Sequence, residues 1–360
     1  MKIFHVIPKI KHGGAESAVF SSIEKLNINN DFRVLTLEKS ENIYCKYKRF
    51  FKSFDSNIFN PLLYIRFLFF VYKEKPDVVI FSLWKSSVCG LILGLLKPWL
   101  KTKRVVIIHS SRFAHFADRL ASKAAIKSFD RVYCDSDATR RFVSLHTAVS
   151  GETISFISRR FERRKYTAPS LGSISFVYIG RLNKVKNINA AIDFIYVLKS
   201  IGMNVSFTLF GPDEGELNSY IFKVKKLSLE SNVFFEGAID HCLVCDELAK
   251  HDFYLQLSSA EGMGMSVIEA MQVGIVPCVT EVGEIPSYAK NNFNSITFDA
   301  RKLSTEYFFE KANDLREIVS EPCKYIEMST FASRTFDGEN TYSEDLERAL
   351  FELFGSNLNL

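Results

Sequence analysis

No stretch of the chain offers the roughly 20 consecutive apolar residues that a membrane-spanning helix needs. The two most apolar runs, residues 62–72 and 88–96, are too short, and Arg66 interrupts the first. No secretory leader is read at the start, because MKIFHVIPKI runs straight into a strand pattern. The seven cysteines are odd in number and scattered, so no disulfide framework is expected and the compartment is read as reducing and cytoplasmic. Cys242 and Cys245 form a C-x-x-C, but no second pair completes a zinc site, so they are read as incidental thiols in the first turn of a helix. A net charge of +5 is too mild to demand nucleic acid, and no nucleic-acid module is visible. The G-x-G-x-x-G dinucleotide fingerprint is missing as well.

What the chain does have is length and aromatic content. With 360 residues it can bury two ordinary cores. The 33 phenylalanines raise aromatics to 14%, which fits heavy cores or an apolar surface for a lipid-like partner. Basic residues bunch at 46–54, 96–104 and 158–165. Solvated faces explain them, and so does attraction to an anionic membrane surface.

Two runs of βα alternation are read, on either side of a basic stretch at 159–172. That stretch is expected to be an interdomain linker. In the first run, a buried strand leads into Gly13 and Gly14 and then a helix, an arrangement that suits a phosphate or only a tight turn. His109 closes the strand at 104–109, on the edge where an open α/β sheet faces its ligand crevice. A lone histidine there fits a structural role as well as a ligand contact. Asp135-Ser136-Asp137 precedes a helix at once, so a helix cap suffices for it and the metal-binding D-x-D reading is rejected.

In the second run, a strand at 173–182 ends in Gly180-Arg181, with Lys186 shortly after. Residues 258–279, SSAEGMGMSVIEAMQVGIVPCV, then read as a glycine-containing loop, a helix and a strand. Glu261 and Glu269 lie near the loop-to-helix junction, where free backbone N–H groups and the helix dipole favour an anion such as a diphosphate. A plainer reading stands beside this one. Ser266 and Glu269 have capping-box spacing, and Glu261 would then be a surface acid.

E-G-M-G-M-S-V-I-E-A-M, with G-R-L-x-x-x-K upstream, Gly-Gly-Ala-Glu near the start and V-V-I-I-H-S-S-R in the first half, resembles retaining glycosyltransferase family 4. The resemblance covers most of the chain and is sharper in the second half. Met263 stands where the family usually has an aromatic residue, Asn187 where it has glycine after the lysine, and Ser287 where an acid is common.

The resemblance implies the α/β GT-B fold, with two doubly wound Rossmann-like domains facing across a cleft. Residues 1–160 would be the acceptor side, 173–335 the donor side, and a helix within 336–360 would return to the first domain. It implies retaining transfer of a hexose from a nucleotide diphosphate sugar to a hydroxyl of a glycan or lipid-linked acceptor, in surface polysaccharide or lipopolysaccharide assembly. A nucleotide-sugar epimerase, a phosphorylase and a non-catalytic sugar-nucleotide-binding protein are the alternatives.

By the same resemblance, Arg181 and Lys186 would hold the diphosphate, the backbone N–H groups of Gly264 and Met265 would face the β-phosphate, and Glu269 would bind the ribose. Gly237, Ala238 and Ile239 would meet the base. Glu261 would hold the transferred sugar, His109 would reach the sugar and acceptor, and Gly13 and Gly14 would line the cleft. No metal or cofactor is implied beyond the donor, UDP and GDP being equally open. The expected location is the cytoplasm or the inner face of the membrane.

Overall fold

The computed structural model describes residues 1–10, 14–40, 45–164, 168–169, 172–240 and 242–354; of residues 14–16, 45 and 46 it describes the backbone alone. The chain divides into two compact units, Met1–Arg159 with Glu339–Leu360, and Arg160–Gly338.

The first unit is built on a seven-stranded sheet: β1 (Lys2–Ile7), β2 (Asp31–Thr36), β3 (Phe51–Ser53), β4 (Val78–Ser82), β5 (Lys103–Ile108), β6 (Arg131–Cys134) and β7 (Glu152–Thr153). Their order is β3-β2-β1-β4-β5-β6-β7, with every neighbouring pair parallel. A parallel sheet is covered on both faces, so its strands carry near-continuous apolar runs such as VVIFS. Successive residues serve opposite faces. Phe4, Val6, Val79, Phe81 and Val106 enter one core cluster, and Ile3, Ile80, Val105 and Ile107 enter the other. The crossover helices are α1 (Gly14–Leu26), α2 (Pro61–Glu74), α3 (Trp84–Leu93), α4 (Phe116–Ser128) and α5 (Asp137–Thr147).

The second unit repeats the plan with six strands: β8 (Ile174–Ile179), β9 (Val205–Phe210), β10 (Val233–Gly237), β11 (Phe253–Gln256), β12 (Val276–Thr280) and β13 (Ile296–Phe298). Their order is β10-β9-β8-β11-β12-β13, again all parallel. Its helices are α6 (Ile188–Ser200), α7 (Leu217–Lys226), α8 (Val244–Leu248), α9 (Met265–Val273), α10 (Ile285–Tyr288), α11 (Thr305–Ser320) and α12 (Pro322–Arg334). Both sheets have the Rossmann order, which reverses between the first and fourth strands of each unit.

The last helix, α13 (Tyr342–Phe354), belongs to the first unit. Leu346 and Leu350 are fully buried in its core, each contributing about 2 kcal/mol by removal from water. Tyr133 Oη donates to the Ala349 carbonyl at 3.1 Å, and the Ser155 N–H donates to Asp345 at 2.8 Å.

Two expectations need correction. The basic stretch after residue 159 does not begin as a free linker. Arg164 N–H donates to the Val273 carbonyl, Phe161 N–H donates to Gln272, and the Arg164 guanidinium binds Tyr325 Oη, so residues 160–164 are fastened to the second unit. The run TISFI at 153–157 reads in sequence as the last strand of the first half, but only the two-residue β7 forms there. Among the described residues no helix is long and apolar enough to cross a membrane.

Candidate active site

In the second unit the candidate residues gather where the strand order reverses, on the loops that follow β8 and β11. Asn183 caps a single 3-10 turn, Lys184–Lys186, accepting from the Lys186 N–H at 3.2 Å. Asn187 then turns left-handed, at φ 48° and ψ 44°. Glycine and asparagine tolerate that region best, which accounts physically for asparagine at a place where glycine is otherwise expected. Asn187 Nδ2 also donates to the Leu257 carbonyl at 3.2 Å, and Ser259 N–H donates to the Val185 carbonyl at 2.8 Å. These two bonds tie the β8 loop to the β11 loop.

The turn aims Lys186 at Glu261. Its ammonium lies 2.7 and 2.9 Å from the two carboxylate oxygens. The side chains are only 17% and 8% exposed, so this is a largely desolvated ion pair. Gln256 Nε2 donates to Glu261 Oε1 at 3.0 Å, and Tyr254 Oη sits 2.8 Å from Gln256 Oε1. Burial, reinforced by the Glu261 charge, pushes the Tyr254 and Tyr288 phenols far above their usual range, so both stay neutral hydrogen-bond donors.

Gly264 precedes α9 with φ 69°, and a β-carbon there would sit 2.8 Å from Tyr288 Oη. Only glycine fits that close approach, which leaves the first N–H groups of α9 uncovered by any side-chain cap. The loop is braced from behind. Gly283 presses on the carbonyls of Glu261 and Gly262, where a β-carbon would come within 2.3 and 2.5 Å. Glu284 N–H donates to the Gly262 carbonyl at 2.9 Å, and Tyr288 Oη donates to the Met263 carbonyl at 2.6 Å.

The capping-box reading of Ser266 and Glu269 fails, because α9 begins at Met265 and its N-cap is Gly264. Glu269 instead lies more than a turn into the helix, 7% exposed. Arg181 does not pair with the same group as Lys186. It forms a half-exposed ion pair with Glu214 at 3.0 Å, and Asn183 Nδ2 donates to the other Glu214 oxygen at 2.7 Å. Gly237 ends β10 at φ 74°, its carbonyl accepting from Gly211 N–H at 2.7 Å. Ala238 is exposed and Ile239 half-buried beyond it.

In the first unit His109 follows β5 and is held from two sides. Its Nε2 is 3.1 Å from Ser82 Oγ at the end of β4, and its Nδ1 is 3.4 Å from Asp135 Oδ2 just past β6. Ser82 Oγ also meets His5 Nε2 of β1 at 2.8 Å. Burial, with the neighbouring His109, lowers the His5 pKa to about 3, so His5 is neutral. In the Asp135-Ser136-Asp137 run the helix cap is Ser136, which accepts from Thr139 N–H at 3.1 Å. Gly14 opens α1, while Gly13 lies outside the described residues. No group of three or more potential metal ligands occurs among the described residues.

Sequence reasoning missed Glu214, Gln256, Ser82 and His5. A histidine inside the apolar run KIFHVI and a glutamine ending FYLQ were the available signals, since polar residues within buried strands need partners.

These two Rossmann-like units define the GT-B class. Solved structures of that class superpose on nearly the whole chain. The Anabaena protein Alr3699/HepE in complex with UDP and glucose matches with a TM-score of 0.79 at 15% identity, covering 99% of this chain and 100% of that one. The lipopolysaccharide outer core galactosyltransferase WaaB matches with a TM-score of 0.71 at 16% identity, covering 98% of this chain and 99% of that one.

The family described as glycosyl transferases group 1 matches residues 159–319, so its signature lies in the second unit. The yeast (Saccharomyces cerevisiae) phosphatidylinositol N-acetylglucosaminyltransferase GPI3 subunit is 26% identical over 57% of this chain and 46% of its own length. The chain thus spans about half the length of that relative. The Staphylococcus aureus capsular polysaccharide biosynthesis glycosyltransferase CapH is 24% identical over 81% of this chain and 85% of its own.

Proposed function

We propose that the chain is a retaining glycosyltransferase that moves a hexose from a nucleotide diphosphate sugar to a hydroxyl of a glycan or lipid-linked acceptor. The observation that carries this reading is the desolvated Lys186–Glu261 pair beside the uncapped start of α9. In it, Lys186 and the N–H groups of Gly264 and Met265 receive the diphosphate, and Arg181 leaves Glu214 to join them. Negative charge grows on the leaving diphosphate as the glycosidic bond breaks, so donors fixed there act on the transition state. Arg181, Lys186 and the helix dipole supply the positive charge for that role.

Glu261, acceptor-only when ionised, takes hydroxyls of the transferred sugar. Glu269 takes the ribose hydroxyls, and the backbone at Gly237, Ala238 and Ile239 meets the base. His109, Gly13 and Gly14 serve the sugar and acceptor side. The departing diphosphate itself takes the acceptor proton, so attack occurs on the face it leaves and the anomeric configuration is retained. UDP is the first nucleotide to try, since HepE was solved with it. The acceptor belongs to surface polysaccharide or lipopolysaccharide assembly, the setting of the CapH and WaaB relatives.

A membrane-bound acceptor fits one further feature. Helix α2 buries Leu63, Phe67 and Val71 yet exposes Leu62, Ile65, Phe69 and Tyr72, a second apolar stripe flanked by Arg66 and Lys73. We place this face on the anionic inner leaflet, where apolar side chains enter the interface and cations meet phosphates. Flotation with anionic liposomes should carry the protein at low salt, and Ile65→Glu/Phe69→Glu should abolish this; salt-independent absence of binding contradicts the placement. The transferase reading is tested by incubating the protein with UDP- and GDP-hexoses and candidate acceptors. A product with retained anomeric configuration supports it, inverted product overturns the retaining step, and no product from any pair counts against the transferase reading.

A further inference from the structure

His5, Ser82, His109 and Asp135 form a continuous chain of polar contacts. His5 is fully buried, and its Nδ1 has no hydrogen-bond partner among the described residues. A buried N–H without an acceptor is costlier than an under-used acceptor nitrogen, so the His5 proton sits on Nε2 and points at Ser82 Oγ, 2.8 Å away. Ser82 has one hydroxyl proton. With His5 donating to its oxygen, the remaining acceptor for that proton among the described residues is His109 Nε2 at 3.1 Å. His109 Nε2 is therefore the acceptor nitrogen, and its proton is on Nδ1, facing Asp135 Oδ2 at 3.4 Å. From the far side Ser136 Oγ donates to Thr139 Oγ1, which donates to Asp135 Oδ1 at 2.9 Å. One carboxylate oxygen thus ends a donor chain and the other faces the His109 ring. The three side chains around the ring come from three different strands or their ends, β1, β4 and β6.

We propose that Asp135 and Ser82 are positioning residues for His109, with His5 setting the direction of donation. Together they hold the His109 ring with its Nδ1–H toward Asp135 and its Nε2 toward Ser82. Its Nε2 lone pair is then kept for a hydroxyl donor. Ser82 fills that place in the free protein, and a sugar hydroxyl of the acceptor takes it on binding. The sugar contact rests on the glycosyltransferase reading; the tautomer does not.

The test is nitrogen NMR of the histidine side chains in the intact protein at neutral pH, with the His109 signals assigned by their loss in His109→Gln. The expected spectrum has His109 protonated on Nδ1 alone and His5 on Nε2 alone. Asp135→Asn should add the Nε2–H form of His109. Ser82→Ala should shift the His109 Nε2 resonance to that of an unbonded acceptor, and Ser82→Thr, which keeps the hydroxyl, should restore it even if the Asp135 variant does not fold. His109 as the Nε2–H form or as imidazolium in the wild type, or unchanged resonances in Asp135→Asn and Ser82→Ala, overturns the proposal. With activity established, Asp135→Asn should lower kcat tenfold or more and leave the donor KM within twofold. A wild type inert toward every donor sugar counts against the transferase reading, and the spectra still decide the tautomer.

Discussion

Replacing Lys186 with methionine keeps most of the side-chain volume and removes the charge. Glu261 would then be an ionised carboxylate, 8% exposed, whose remaining described side-chain donor is the neutral Gln256 amide. Stripping one partner from a buried ion pair costs about 3–5 kcal/mol, because the other charge stays desolvated and uncompensated. Lys186 is itself 17% exposed, so water can enter its place and the low end, about 3 kcal/mol, applies. In a unit spanning Arg160–Gly338, 1 kcal/mol moves the melting temperature by roughly 2–4 °C, giving a fall of roughly 6–12 °C. Differential scanning calorimetry at pH 7 reads this directly. The double variant Lys186→Met/Glu261→Gln removes both charges, leaving no unpaired carboxylate, and should melt above Lys186→Met alone. A fall under 2 °C for Lys186→Met, or a double variant less stable than the single one, refutes the claim that this pair is desolvated and mutually dependent.

The other predictions concern protonation and the two glutamates. His5 has a folded pKa of about 3 against an ordinary 6.5, so the unfolded chain takes up its proton first as pH falls. The stability this group contributes is complete above pH 6.5 and is lost progressively as pH falls toward 3, by about 5 kcal/mol at most. His5→Phe should flatten the decline in first-unit stability across that window in acid titrations followed by denaturant melts; an unchanged slope would falsify the burial argument. Glu269→Gln should weaken donor binding, since one acceptor oxygen becomes a donor. Glu261→Gln should spare nucleotide affinity and lower kcat together with kcat/KM, the pattern of a contact made mainly in the transition state. Wild-type binding and turnover in both variants would remove both residues from the site.

Much of the architecture is written in local pattern. The alternation of apolar runs with helical periods in 1–157 and 173–319 announces two parallel sheets, because strands buried on both faces need continuous Val, Ile and Phe. Helix α12 escaped notice, since Pro322–Arg334 carries serines, a threonine and a cysteine with weak periodicity and owes its place to Tyr325 and Met328 in the core. Lys186 and Glu261 were each legible, but their pairing spans 75 residues and depends on the left-handed Asn187, which no local rule supplies. Asp135 was read with its neighbours as a cap, and only the strand order brings it to His109. The spacing of Ser266 and Glu269 fits a capping box, yet the close approach of Tyr288 and Ile285 to Gly264 starts the helix two residues earlier than such a box requires. Long-range packing decided each of these cases.

Calorimetric titration of UDP and GDP, with uridine and guanosine as controls, tests the central claim most directly. The account predicts that one diphosphate binds the wild type far more tightly than its nucleoside. Arg181→Ala and Lys186→Ala should each weaken that diphosphate by about 1.5–3 kcal/mol, the loss of one charge-assisted contact, and leave nucleoside binding nearly unchanged. Equal diphosphate affinity in the wild type and both variants would contradict it.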